Sequence, residues 1–258
     1  MPSQGPPAEG IPLRSKPRAQ NPTFLVERLG CVPYAEALRL QERLVEERRR
    51  GAAPDRLLLL EHPRVVTLGR SARQASLLVS PEELARRGIG LFEVARGGDA
   101  TYHAPGQLVG YLIADLAARG APDVHVFLRR LESALAEALG RLGVAPRMLA
   151  GRTGVFVDDA LRPEPARKIA SIGVGLRGGV SHHGFALNVT LDPAEFAVIV
   201  PCGLRDVAMT SVARELGAAA PAELPERARD EVARACLRAF GAAEAAGAAP
   251  RCGSGLSL

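Results

Sequence analysis

Two side chains, a thiol and an amine, stand out for what they could do together. Cys202 lies in Pro201-Cys202-Gly203, a tight turn after the apolar run Phe196 to Val200, where a thiol can be presented at a cavity wall. Lys168 lies 34 residues earlier, and it and Lys16 are the only lysines among 33 basic residues. A free thiol with a pKa of about 8.5 is only a few per cent thiolate at neutral pH. An ammonium ~4 Å away would favour the thiolate by about 4 kcal/mol at an effective dielectric of 20, enough to lower its pKa by a unit or more. Desolvated, the same amine would lose its proton and act as a base instead. The sequence leaves both roles open, and both suit acyl transfer through a covalent intermediate. Cys31, Cys236 and Cys252 have no comparable setting: Cys236 falls inside the last helix and Cys252 in the C-terminal tail.

The stretch from Arg96 to Gln107 is the second chemical feature. It groups Gly97, Gly98, Pro105 and Gly106 around an arginine, a tyrosine and His103. Glycine allows close approach of backbone to a ligand, and proline sets the turn that follows. His103 is either a hydrogen-bond anchor or a wall of the site. Arg96 with Gly97-Gly98 could hold a phosphate on backbone amides, although neither a P-loop nor a dinucleotide fingerprint is present. His182 and His183 are adjacent on an expected strand, so they should point to opposite faces, with at most one at the site. His62 and His125 have no supporting context. Gly173 and Gly175, then Gly184-Phe185-Ala186, place small residues along two neighbouring strands. They either line a slot for a slim apolar chain or mark bulges.

These residues need a scaffold, and the pattern along the chain supplies one. Residues 1–22 read as a disordered leader and 241–258 as a flexible tail, leaving a single domain over 23–240. Strands are expected over Phe24–Leu29, Arg56–Glu61 with its four leucines, Val65–Leu68, Leu91–Ala95, Gln107–Leu116 and Thr153–Val157. Ile169–Leu176 and Val180–Val189 read as a hairpin joined by Arg177-Gly178-Gly179. Helices are expected from Pro33 to about Arg50, briefly after Ser80, from Asp123 to Leu142 with Gly143 as the stop, and from Glu223 to Phe240. Arg96–Gln107 and Asp158–Arg167 read as loops. Hairpin-like runs of strands between a few helices favour an α+β fold.

Composition narrows the function. Of 258 residues, 47% are hydrophobic and 4% aromatic, with no tryptophan, so the core must be built mainly from Leu, Val, Ala and Ile. The net charge of +5 suits an acidic partner but is spread along the chain. Its one dense cluster, Arg48-Arg49-Arg50, ends an expected helix, where cations favour the macrodipole. No basic stripe interleaved with aromatics points to nucleic acid. There is no apolar signal core and no apolar run of membrane-spanning length. The four cysteines form no close pair, so zinc spacing is absent and a reduced cytoplasmic setting is the simplest reading.

RGGDATYHAPGQLVGY, KIASIGVGLRGGVSHHGFALNV and PCGLRDVAMTSV, in this order and spacing, resemble the lipoyl(octanoyl) transferases over about residues 24–240. The resemblance implies a mixed β-sheet flanked by helices, like the catalytic module of biotin and lipoate protein ligases. It also implies an activity: an octanoyl group passes from octanoyl-acyl carrier protein to a lysine of a lipoyl domain through an acyl-enzyme. The acceptors it implies are lipoyl domains of 2-oxoacid dehydrogenase complexes and the glycine cleavage H protein. The family's acyl-thioester cysteine falls on Cys202, and the lysine thought to lower its pKa on Lys168. Its substrate-contacting segments fall on Arg96, Gly97, Gly98, Asp99, Ala100, Thr101, Tyr102 and His103, on Ser171, Ile172 and Gly173, and on Gly184, Phe185 and Ala186. No cofactor, metal, nucleic acid or membrane is implied, and a monomer is expected. The family usually reads HGPGQ where this chain reads HAPGQ, so Ala104 must take a backbone angle that alanine can reach.

A thioester donor carries its own activation, so no ATP loop is required. Backbone amides near the glycine turns could hold an oxyanion, and burying about seven methylene-sized groups at ~0.8 kcal/mol each would hold the chain. The rivals are an ATP-dependent lipoate or biotin ligase on the same scaffold and a non-catalytic scaffold that binds lipoyl domains.

Overall fold

The computed structural model describes residues 23–121, 123–159, 162–201 and 207–244. Cys202 and the turn expected around it, the expected leader 1–22, and residues 245–258 with Cys252 lie outside the described residues. The chain enters through β1 (Thr23–Cys31), α1 (Tyr34–Arg49) and β2 (Asp55–Glu61), with β1 and β2 parallel. The leucines of β2 alternate between two layers. Leu57 and Leu59 join one apolar cluster with residues of two later helices, while Leu58 and Leu60 join another with Ala37, Leu44 and Val45 of α1. A strand covered on both faces reads as an unbroken apolar run, and each buried leucine contributes about 1.5–3 kcal/mol.

Next come β3 (Val65–Leu68), α2 (Pro81–Arg86), β4 (Gly90–Glu93) and β5 (Ala100–His103). β3 pairs parallel with β4 and antiparallel with β5 in a small separate sheet. Ser80 caps α2 as expected, accepting the Glu83 N–H at 3.3 Å. The chain continues through β6 (Gln107–Ile113), α3 (Val124–Arg141), β7 (Pro146–Arg147), β8 (Val155–Asp159), β9 (Arg162–Arg177) and β10 (Val180–Asn188). It closes with β11 (Val207–Met209), α4 (Val212–Leu216), α5 (Leu224–Ala239) and β12 (Ala243–Glu244). The large sheet runs β12-β1-β2-β6-β10-β9-β8-β7, and β11 adds to β9. α3 and α5 cover one face and α1 the other, so the fold is the expected mixed sheet flanked by helices. The expected hairpin is present, with Val180 opposite Arg177.

Three local expectations are corrected. Ala100–His103, read as part of a loop, is a strand whose partner β3 lies far away in sequence. Asp158–Arg167, read as a loop for its prolines, belongs to β8 and β9 where described. The prolines fall between the paired positions Arg162 and Arg167, within a register irregularity, where a missing N–H interrupts little of the ladder. Ala243–Glu244, assigned to the tail, pairs with β1.

Candidate active site

A cavity of about 240 Å³ lies between the β9–β10 hairpin and the strand and loop that lead to His103. The loop is pinned to the hairpin: the Gly97 N–H donates to the Val174 carbonyl at 2.9 Å. A Cβ on Gly173 would stand 3.0 Å from the Gly97 carbonyl oxygen and 3.2 Å from Cδ of Arg96, so a bare backbone at 173 lets the loop settle. The expected phosphate cradle is therefore not available at Gly97, whose N–H is already used. The Arg96 guanidinium is buried and donates to the carbonyl oxygen of Thr67 at 2.8 Å and to its hydroxyl at 2.9 Å.

Lys168 marks one end. It is buried, and its Nζ lies over the Phe156 ring, 5.4 Å from the centroid. A bulge puts it there. Val155 pairs with Ala170 but Phe156 with Lys168, so β9 spends one extra residue. The extra residue reverses the alternation, bringing Lys168 into phase with Ser171 and Gly173 while Ile169 and Ala170 stay in the core. The Thr210 N–H donates to the Lys168 carbonyl at 3.0 Å. Gly154 leaves room for the lysine stem, and its own N–H donates to Oε1 of buried Glu132 at 2.9 Å.

Tyr34, His103, Tyr111 and His183 line the rest of the wall, with His62 packed behind them. His62 Nδ1 lies 2.6 Å from the Val32 carbonyl oxygen, which can only accept, so Nδ1 carries the proton. Burial pushes the His62 pKa down to about 4, leaving the ring neutral and Nε2 an acceptor for the Tyr111 hydroxyl at 2.7 Å. A hydrogen bond also links Tyr34 and Tyr111. Burial pushes Tyr34 up to about 12 and Tyr111 well above its ordinary value, so both hydroxyls keep their protons. Burial, with His62 beside it, drives His103 down to about 3. Its Nδ1 meets Gln107 Oε1 at 2.7 Å. Gln107 Nε2 donates to the Tyr102 carbonyl and to Asn188 Oδ1, and Asn188 Nδ2 donates to the Thr210 carbonyl. A chain of hydrogen bonds thus runs from His103 to the backbone of Lys168.

Of the residues expected at the site, Arg96, Gly98, Asp99, Ala100, Thr101, His103, Lys168, Ser171, Ile172, Gly173, Gly184, Phe185 and Ala186 line the cavity. Gly97 lies against Val174 outside the lining. Tyr102 points away: its hydroxyl donates to Glu195 Oε2 at 2.7 Å and its ring meets Phe196. Strand alternation sends it opposite Thr101 and His103. Of the adjacent histidines only His183 reaches the cavity, but their rings are not on opposite faces. They stand 4.7 Å apart because His183 has a φ of +56°, which breaks the alternation. Ala104 avoids the left-handed region and is buried in an apolar cluster. Tyr34, His62, Tyr111 and the Gly151–Thr153 segment were not singled out by the sequence. The partners of His62 are too distant in sequence to signal it. Among the described residues, no three metal-ligating side chains gather.

A mixed sheet that lays a glycine-rich loop over a hairpin, with a buried lysine in the wall of the cavity between them, defines a catalytic module of the lipoate-ligase type. The same fold appears in the bipartite lipoate protein ligase of Thermoplasma acidophilum, with a TM-score of 0.62 at 18% identity over 86% of each chain. A lipoate-protein ligase A solved with ATP matches with a TM-score of 0.62 at 18% identity, over 86% of this chain and 87% of that one. The lipoyl protein ligase A/B catalytic domain matches residues 33–241, and the chain belongs to that family and is an acyltransferase. It is 48% identical to the octanoyltransferase of Koribacter versatilis over 191 residues, covering 73% of this chain and 74% of the relative. It is 45% identical to that of Acidobacterium capsulatum over 219 residues, covering 83% and 88%.

Proposed function

We propose that the protein transfers an octanoyl group from octanoyl-acyl carrier protein to a lysine of lipoyl domains, with Cys202 and Lys168 as its catalytic pair. In the first step the Cys202 thiolate attacks the donor thioester carbonyl. The new carbon–sulfur bond forms as the carrier's phosphopantetheine thiol leaves and takes up a proton. In the second, the acceptor lysine's amine attacks the enzyme thioester. An amide forms, the Cys202 sulfur leaves, and the amine's proton passes to Lys168 or water. Arg96, the 98–101 backbone, Ser171–Gly173 and Gly184–Ala186 hold the acyl group. The acceptors are lipoyl domains of 2-oxoacid dehydrogenase complexes and the glycine cleavage H protein, in the reducing cytoplasm that a free thiol needs.

The observation that carries this reading is Lys168, buried at the cavity wall beside the strand that follows residues 202–206. Met209 pairs with Lys168, and Val207 with Ala166. On the other side, the Val200 N–H donates to the Ser76 carbonyl, and Ser76 Oγ donates to Asp99, a cavity residue. The described residues on either side of 202–206 are thus linked to cavity-lining residues, Met209 by pairing with Lys168 and Val200 through Ser76 to Asp99, which supports this reading.

Intact mass after mixing with octanoyl-acyl carrier protein tests it. A hydroxylamine-labile octanoyl adduct is expected, absent in Cys202→Ala, with lipoyl-domain modification proceeding without ATP. Slow adduct formation in Lys168→Arg but none in Lys168→Ala marks electrostatic activation of the thiol. A requirement for ATP overturns the reading, as does binding without an adduct.

A further inference from the structure

Two cavities meet at His183. One is the cavity described above. The other, of about 330 Å³, lies on the α1 side, between Leu38 and Val45 of α1 and Val94 and Ala95 beyond β4. His183 is the one lining residue they share. It is also the one described non-glycine residue with positive φ, at +56°. A side chain held in that region is strained, and persists only where its surroundings over-determine it. Here Gln41 Oε1 accepts the His183 N–H at 2.8 Å, and the ring packs edge-on to Tyr111 with centroids 6.1 Å apart. Gln41 Nε2, buried at the second cavity, has no hydrogen-bond partner.

The first cavity follows β9 and β10 from Lys168 to the Val174–His183 pair. Because the extra residue at Ile169 adds no length, about five strand spacings at 3.3 Å each make this span about 16 Å. An acyl chain with its thioester at the Lys168 end directs its methyl end toward His183. Burial, with His182 and Arg96 nearby, drives the His183 pKa down to about 3, so the ring is uncharged and compatible with an apolar chain.

We propose that His183 is the end wall that sets acyl-chain length, and that the space behind it is where a longer chain would extend once the imidazole is removed. The inference rests on reading the first cavity as the acyl site. His183→Gly removes the wall and accepts the positive φ, while His183→Leu keeps an apolar wall of similar size. Transfer to a lipoyl domain is measured with octanoyl, decanoyl and dodecanoyl carrier protein. His183→Gly is expected to raise the dodecanoyl-to-octanoyl rate ratio by at least about tenfold, through burial of added methylenes. His183→Leu should keep the wild-type ratio, and adding Ala95→Leu to His183→Gly should lower the ratio again. A folded His183→Gly with the wild-type ratio overturns the proposal, as does one that transfers no chain at all, which would place the ring in the chemistry.

The wild-type protein provides a reading independent of any variant's folding. An octanoyl donor bearing a diazirine near its methyl end should crosslink on irradiation to His183 or Tyr111, and a crosslink confined to other segments, or to Gln41 behind the wall, overturns the proposal. Chain preference is read on the lipoyl domain, so it stands apart from the Cys202 adduct. An absent adduct with a shifted ratio refutes the covalent relay alone.

Discussion

Gly154 and Lys168 stand so close that residue 154 can carry no side chain: a Cβ there would lie 2.7 Å from Cε of Lys168 and 2.5 Å from the Ala170 carbonyl oxygen. Gly154 also has a φ of +120°. Gly154→Ala is expected to destabilise the fold by about 1–3 kcal/mol through backbone strain. It should also lower the transfer rate per folded molecule by about 10²-fold, because it displaces the amine. Thermal unfolding together with single-turnover transfer checks both. An unchanged rate in the folded fraction would show that the position of Lys168 is unimportant.

Gln107 fixes the tautomer of His103, since its amide nitrogen is committed to two acceptors and only its oxygen faces Nδ1. Gln107→Leu leaves a buried carbonyl and the Asn188 amide oxygen without their donor, which should cost about 1–3 kcal/mol per orphaned group. Gln107→Glu keeps the acceptor for His103 but loses both donors. It should retain more activity than Gln107→Leu if the histidine is what matters at the site. Denaturant unfolding and steady-state transfer separate the two effects.

Stability should fall in mild acid. His62, His103 and His183 have pKa values lowered by burial from 6.5 to about 4, 3 and 3. Between those values and 6.5 the unfolded chain binds protons that the folded chain refuses, so acid favours unfolding. The contribution of the neutral rings is whole above pH 6.5 and is lost as the pH drops toward 4 and then 3. By pH 5 each histidine removes about 2 kcal/mol. Urea titrations from pH 7.5 to 5 measure the slope, and His62→Gln should flatten it.

Asp55 accepts from Nε of both Arg48 and Arg119 at 2.5 Å, and all three side chains are buried. None of them lines the catalytic cavity. Asp55→Ala removes the buried carboxylate that both guanidiniums share, leaving Arg48 the more distant Asp115 at 4.0 Å, and should cost about 3–5 kcal/mol. Transfer per folded molecule should stay at the wild-type rate. Calorimetry with an active-fraction assay checks this, and a selective loss of rate would reveal coupling between the cluster and the site.

Much of the scaffold was legible because its signals are local. The Ser80 cap, the periodic apolar residues of α3 and the Gly178-Gly179 turn each act within a few residues. So does the alternation that pairs β9 with β10. Cavity residues such as Gly173 and Gly184 were legible through their motifs. Strand β5 was not, because Ala100–His103 becomes a strand only against Val65–Leu68. Nor were Tyr34, His62 and Tyr111, whose hydrogen-bonded cluster joins a helix start, a strand end and a central strand.

The sequence by itself determined the α+β class, the order of most elements, and the family through three spaced motifs. Tertiary structure alone decided which way the chemical groups face. One extra residue at Ile169 turns Lys168 toward the cavity, strand parity carries Tyr102 away from it, and a positive φ turns His183 back against His182. Facing depends on pairing between strands distant in the chain. A register shift of one residue inverts every side chain beyond it, and no local pattern records that shift.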